Sequence, residues 1–264
     1  MDLPLGWLTD LAVLRLSGAE VGDCGDHLVV TSPDNPGYHW GNFLLVTDPG
    51  ARNDAARWVE LFRATFPDAR HMGMGLPAEP DPAPWAAFDL AVEFDEILST
   101  TTLSEQRPLP DGYATQQLVT PDQWDAATAA DLAENARTGD QPDDAAHRDF
   151  TMARMRSRAA LSDRGAAAFF GAFVGDECVS ELGIVLCGED AQGRVVARYQ
   201  NVQTAFEHRM RGLAGHLVGV AAHWAADRGA ERWVIASEPD SPAARLYRSL
   251  GFAPDTRSWH AERS

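Results

Sequence analysis

The chain has 264 residues, 45% apolar and 23% charged, which is enough to bury one large core or two smaller ones and excludes a disordered or fibrous protein. Acidic residues number 39 against 22 basic ones, all arginine, and the net charge of −17 disfavours duplex nucleic acid and anionic membrane faces as partners. No apolar run approaches the roughly 20 residues of a membrane helix, and Asp2 and Asp10 stand where a leader would be basic and then greasy, so the expected location is the cytoplasm.

In chain order, 27–31 and 39–46 read as strands, 52–66 as a helix with Ala55, Trp58, Val59, Phe62 and Phe66 on one face, and 70–76 as the next strand. Trp40 and that helix face are expected in cores. Pro and Gly cluster over 107–112 and mark a domain boundary, giving domains 1–108 and 109–264. Beyond it come a strand at 113–119, helices at 121–136 and 150–161, and strands at 167–174, 178–187 and 194–204 joined by short Gly-containing turns. A helix at 208–228, with Leu213, Leu217, Val220, Ala221 and Trp224 in one stripe, a buried strand at 232–237, a helix from Pro242 to Gly251 and a closing strand complete the pattern. Strand, helix and strand in succession imply a parallel crossover, so the fold class is α/β with a mixed sheet. The first half echoes the strand-helix-strand rhythm of the second, which suggests two similarly built domains.

Chemistry concentrates where the strand ending Val202-Gln203-Thr204 runs through Arg209-Met210-Arg211-Gly212-Leu213-Ala214-Gly215 into the long helix. A helix start offers unpaired backbone N–H groups, and small residues let a diphosphate reach them, so a local device can hold an anion on an acidic protein. A second segment follows on the next helix, with Asp240, Ala243, Leu246, Tyr247, Arg248, Gly251 and Phe252. Together the two resemble the paired signatures of the Gcn5-related N-acetyltransferase (GNAT) superfamily, Gln/Arg-x-x-Gly-x-Gly/Ala and Asn-x-x-Ala-x-x-Leu-Tyr-x-x-x-Gly-Phe. The resemblance covers about residues 112–264. One position departs from it: Asp240 stands where the family has Asn, and an ionised carboxylate cannot donate a hydrogen bond.

The resemblance implies a GNAT fold, two tandem GNAT-like domains, and direct transfer of an acetyl group from acetyl-CoA to a primary amine on a small molecule or peptide. It places the cofactor along Val202, Gln203 and Thr204, the stretch from Arg209 to Gly215, and Asp240, Ala243, Tyr247 and Arg248. The Val202 N–H would be the oxyanion donor and Tyr247 the general acid. Glu238, at a strand end, is the chosen base, with Glu181 or a water chain as alternatives, while Glu207 reads as a solvated loop residue. A regulator or pseudoenzyme that binds acyl-CoA without turnover is the competing function, and an interaction module in which the first half docks a partner is another. Monomer and homodimer both remain open.

No metal site is expected. Cys24, Cys178 and Cys187 are widely spaced and form no Cys-x-x-Cys pair, and His216 and His223, seven apart and off the apolar stripe, read as surface residues. Asp140, Asp143 and Asp144 join two helices and read first as a solvated loop, with steering of a cationic amine as the functional alternative. In the first half, the loop from Asp48 to Asp54 carries carboxylates and Pro49 without the Arg-x-x-Gly-x-Ala spacing, so a domain there would be a degenerate one without a cofactor site.

Overall fold

A computed structural model describes residues 3–139 and 145–263, so Asp140, Asp143 and Asp144 lie outside the described residues. The chain divides into two compact units. The first runs up to Ile97 and takes in Ala236–Ser241 and the stretch from Pro254, while the second comprises Leu98–Ile235 and Pro242–Ala253.

In the first unit, α1 (Leu5–Leu16) precedes β1 (Glu20–Asp23), β2 (His27–Thr31) and β3 (Phe43–Val46), then α2 (Ala55–Thr65), β4 (Met72–Leu76), a short α3 (Pro82–Ala86) and β5 (Ala91–Thr100). The last strand of the chain, β11 (Ala253–Arg263), lies between β4 and β5. β2 runs antiparallel to β3, β3 parallel to β4 with α2 as the crossover, and β11 antiparallel to β4. Alternation along β3 divides the core: Leu44 and Val46 pack with Trp58, Val59 and Phe62 of α2, whereas Phe43 and Leu45 pack with Trp7, Leu11 and Leu14 of α1.

α1, β1, α3 and β5 have no counterpart among the expected elements. The strand expected from 39 begins instead with a 3₁₀ turn at His39–Gly41. The Asn42 side chain accepts from the Ser32 N–H at 3.0 Å and donates to the Tyr38 carbonyl at 2.8 Å, which holds the turn and starts β3 at Phe43.

The second unit holds β6 (Ala114–Gln117), α4 (Pro121–Thr138), α5 (Ala145–Asp163), β7 (Ala167–Val174), β8 (Glu177–Glu189), β9 (Val195–Thr204), α6 (Leu213–Ala226), β10 (Ala230–Ser237) and α7 (Pro242–Ser249). Its strands follow the order β10-β9-β8-β7-β6, antiparallel throughout except for the parallel pair β9 and β10 that α6 connects. A capping box of Thr120 and Gln123 with Pro121 in the first turn starts α4. On one face of the sheet α6 buries Leu213, Leu217, Val218, Ala221 and Ala225 with Phe170, Leu182, Ile184 and Tyr199. On the other face Phe169 meets Trp124 of α4 at 5.4 Å and Arg158 of α5 at 5.5 Å.

The segment between β5 and β6 has no regular structure but is tied to α6 and α7. The Arg107 guanidinium donates to the Ser249 carbonyl at 3.3 Å, and Ser104 Oγ donates to the Leu250 carbonyl at 3.3 Å. A Cβ at Gly219 would fall 2.6 Å from Gln106 Cα, so only glycine lets the segment lie this close to α6.

Candidate active site

The strands β9 and β10 pair from Ala230–Val195 to Val234–Arg198 and no further, although β9 continues to Thr204. Residues 199–204 therefore leave the edge facing away from β8 without a strand partner from β10. On the β8 side, Gln200 opposes Gly183 and Gln203 opposes Glu181, so Asn201 and Val202 together face Leu182. This is a β-bulge, and its αL residue is Asn201 at φ 51°. Beyond it Ser180 Oγ donates to the Gln203 carbonyl and meets Thr204 Oγ1, both at 2.8 Å. Val202, Gln203 and Thr204 are half-buried.

After β9 a 3₁₀ turn, Phe206–His208, leads into the loop 209–212, so α6 begins at Leu213, later than the expected 208. Met210 at φ 59° and Gly212 at φ 85° both sit in the left-handed region, which is what delays the helix. Gly212 is the N-cap and provides no side-chain cap, the first turn of α6 has no acidic residue, and the first helical bond runs from the His216 N–H to the Gly212 carbonyl at 3.0 Å. The N–H groups of Leu213, Ala214 and Gly215 thus have no partner within the helix, at its positive end. Arg211 is exposed and donates to the Glu207 carbonyl at 3.1 Å; Glu207 itself is exposed. Met210 is 97% exposed.

Arg209 is held from two sides, its Nε donating to the Thr204 carbonyl at 3.0 Å and its guanidinium to Glu134 of α4 at 2.5 Å. Arg137 binds the same carboxylate at 2.6 Å, and the two guanidiniums lie 4.8 and 5.6 Å from the exposed Phe206 ring. The hydrogen bond from Arg137 and the charge of Arg209 hold the Glu134 carboxyl below its ordinary range.

On α7, Tyr247 is buried with its ring edge toward Phe252, and burial pushes its phenol up to about 12 against the opposing charge of Arg198. Ala243 is half-buried and Arg248 exposed. Glu238 and Asp240 belong to Ala236–Ser241, the stretch grouped with the first unit. Both are exposed, and Asp240 adopts φ 58°.

Glu181 differs sharply from Glu238. It is 4% exposed, lies 3.5 Å from the Arg158 guanidinium, and accepts from the Asn201 amide at 3.4 Å. Burial raises its carboxyl above the ordinary range although Arg158 opposes the shift. Next to this pair, Asp131 of α4 accepts from Arg154 of α5 at 2.5 Å and from Thr151 at 3.4 Å.

One expectation is corrected. His216 is a buried residue, 4% exposed, held between Thr115 Oγ1 at 2.8 Å and the Arg107 carbonyl at 2.6 Å. The segment around Arg107 covers the side of α6 that the apolar stripe leaves open. His223 is exposed and its ring lies 2.8 Å from the Gly219 carbonyl. Glu134, Asn201 and Arg158 are the site neighbours that motif spacing passed over. In the first unit, the Asp48 carboxylate accepts from the Gly50 N–H at 2.8 Å in the loop before α2.

Residues 130–252 match the Acetyltransferase (GNAT) family. Among solved structures, a GCN5-related N-acetyltransferase from Kribbella flavida superposes with a TM-score of 0.62 at 14% identity, over 98% of this chain and 96% of that one. A GCN5-related N-acetyltransferase from Sphaerobacter thermophilus gives 0.56 at 16% identity over 92% and 82%. A tandem GNAT protein from the clavulanic acid biosynthesis pathway gives 0.52 at 18% identity over 99% and 97%. At these identities the likeness is one of fold. No curated protein matches the sequence.

Proposed function

We propose that the chain, whose residues 130–252 match the Acetyltransferase (GNAT) family, is an acetyl-CoA-dependent N-acetyltransferase that acetylates a primary amine, on a small molecule or peptide, by direct transfer in a ternary complex. The observation that carries this reading is the end of β9–β10 pairing at Arg198 and Val234 close in sequence to an uncapped helix start. An extended guest arm can pair with the free edge of 199–204 as an added strand would, while its diphosphate meets the N–H groups of Leu213 to Gly215. Val202, Gln203, Thr204 and the stretch from Arg209 to Gly215 line that path, and Ala243, Tyr247 and Arg248 contribute from α7, with Asp240 preceding it.

Acetyl-CoA supplies an activated acyl carbon as a thioester. The Val202 N–H, aimed by the bulge at Asn201, donates to the oxygen on which negative charge grows. Glu181, rather than the exposed Glu238, takes the proton from the amine, directly or through water. A buried carboxylate whose pKa is raised is the better base near neutral pH, and Glu181, on β8, pairs with Gln203 of β9 next to the bulge. Tyr247, fully protonated at working pH, gives its proton to the leaving thiolate.

Residues 1–108 are read as a degenerate GNAT-like domain and 109–264 as the catalytic one. In favour, β3, α2 and β4 repeat the parallel crossover of β9, α6 and β10. The Asp48 carboxylate already binds backbone N–H in the loop before α2, where it repels a diphosphate. One acetyl-CoA site per chain follows, with the chain acting as a monomer or homodimer.

Purified protein mixed with acetyl-CoA and a panel of amines, with free thiol followed over time, tests the reading. Amine-dependent thiol release is the expected result. Stoichiometric acetyl-CoA binding without turnover across the panel overturns it in favour of a regulator.

A further inference from the structure

Away from this site, in the first unit, the strands β11 and β5 bring together Glu93, His260 and Glu262, whose ligand atoms all lie within 4.8 Å of one another. His260 and Glu262 are two apart on β11 and share a face by strand alternation. Glu93 and Asp95 do the same on the neighbouring β5. Like charges across neighbouring strands destabilise a sheet unless something offsets them.

The histidine is built into place. His260 is 8% exposed, its ring meets Trp40 edge-on at 5.0 Å, and its Nδ1 lies 3.4 Å from the Ser258 carbonyl. Through that contact Nδ1 can donate to the carbonyl, which leaves Nε2, 3.9 Å from Glu262 Oε1, as the nitrogen to ligate a metal. Trp40 also hydrogen-bonds the Glu262 carboxylate, fixing a second donor.

We propose that Glu93, His260 and Glu262 form a binding site for a divalent transition-metal ion, Zn²⁺ by its donor set, that ties β5 to β11. An imidazole nitrogen among the donors argues against Ca²⁺ and Mg²⁺, which favour all-oxygen sets. Donors about 2.1 Å from zinc sit about 3.4 Å apart, and the exposed Glu93 side chain can turn in to close the difference. Three protein ligands leave a fourth position for water.

Calorimetry with ZnCl₂ on the metal-stripped full chain should give one equivalent bound and a higher melting temperature, and Co²⁺ should give a visible d–d absorption band. Glu93→Gln, at an exposed position, should keep the fold and weaken zinc binding by at least about tenfold, and His260→Gln should weaken it further. Absence of binding to the wild-type chain, or wild-type affinity in Glu93→Gln, overturns the proposal. Acetyl transfer plays no part in any of these measurements.

Discussion

Arg209, in the loop before α6, donates to Glu134 of α4 across 75 positions of sequence, so a carboxylate neutralises one of the two arginines of that loop. An anionic guest must compete with Glu134 for that charge. Glu134→Gln should therefore tighten acetyl-CoA binding. A pair whose arginine is exposed is worth about 0.2–1 kcal/mol, so the gain should be about 1.4- to fivefold at low salt and shrink as salt rises. Calorimetry at two ionic strengths measures it, and weaker binding would mean that Glu134 serves to aim Arg209.

Gly212 separates charge from shape. Its φ of 85° disfavours any side chain, but a Cβ there meets nothing within 4 Å, so Gly212→Ala, Gly212→Glu and Gly212→Lys should share one modest destabilisation of about 1–2 kcal/mol. Acetyl-CoA affinity should then split them: lost in Gly212→Glu, partly kept in Gly212→Lys. Equal affinities for Glu and Lys would move the diphosphate elsewhere.

Tyr247→Phe should lower turnover about 10²-fold and leave acetyl-CoA affinity nearly unchanged, because the buried ring keeps its packing and only the phenol proton is lost. With the phenol pushed up to about 12, the loss should be the same at every assay pH below that. A parallel loss of affinity would make Tyr247 a packing residue.

Glu181→Gln tests the base. The wild-type kcat/KM should fall toward acid with a midpoint above the usual carboxylate value of 4.5, and the variant should lose that limb and about 10²-fold or more in rate. Removing one partner of a buried pair also leaves Arg158 uncompensated, at a cost of about 3–5 kcal/mol. The double variant Glu181→Gln, Arg158→Met should recover stability but not rate. Recovery of both would assign Glu181 to the fold alone.

In the first unit, His39 and His71 stack at 4.3 Å, and burial lowers both rings below 6.5, with the charge of His71 adding to the effect at His39. Between those lowered values and 6.5 the unfolded chain binds more protons than the folded one, so stability must fall as pH drops through that window. Denaturant unfolding between about pH 8 and 5 should show the decline, and His39→Gln should flatten it.

Much of the second unit was legible because its turns carry Gly, its central strands are apolar runs buried almost throughout, and its two signature segments sit at helix starts. What sequence spacing missed depends on pairs far apart in the chain. Arg158 and Glu181 are 23 positions apart, and neither neighbourhood suggests that they share a buried space. His216 was misread because an apolar stripe describes one covered side, whereas α6 is covered on a second. The small residues Gly215 and Gly219 were the available signal for that second cover, since a Cβ at 215 would sit 3.3 Å from the Arg107 side chain. α1 was readable, because Trp7, Leu11 and Leu14 have helical spacing.

The stretch between β5 and β6 has the composition of a linker, yet Ser104, Arg107 and the Gln106 backbone bind it to α6 and α7. Engineering should treat it accordingly. A protease site or a reporter peptide inserted beside Arg107 would have to strip the chain from Gly219 and break the His216 bond before it could be reached. The turn at Gly175 and Asp176 is exposed, and its glycine sits at φ 59° in a tight hairpin, so a graft there meets only solvent. The place that looks easiest to cut is thus held, and the shortest hairpin is the one to lengthen.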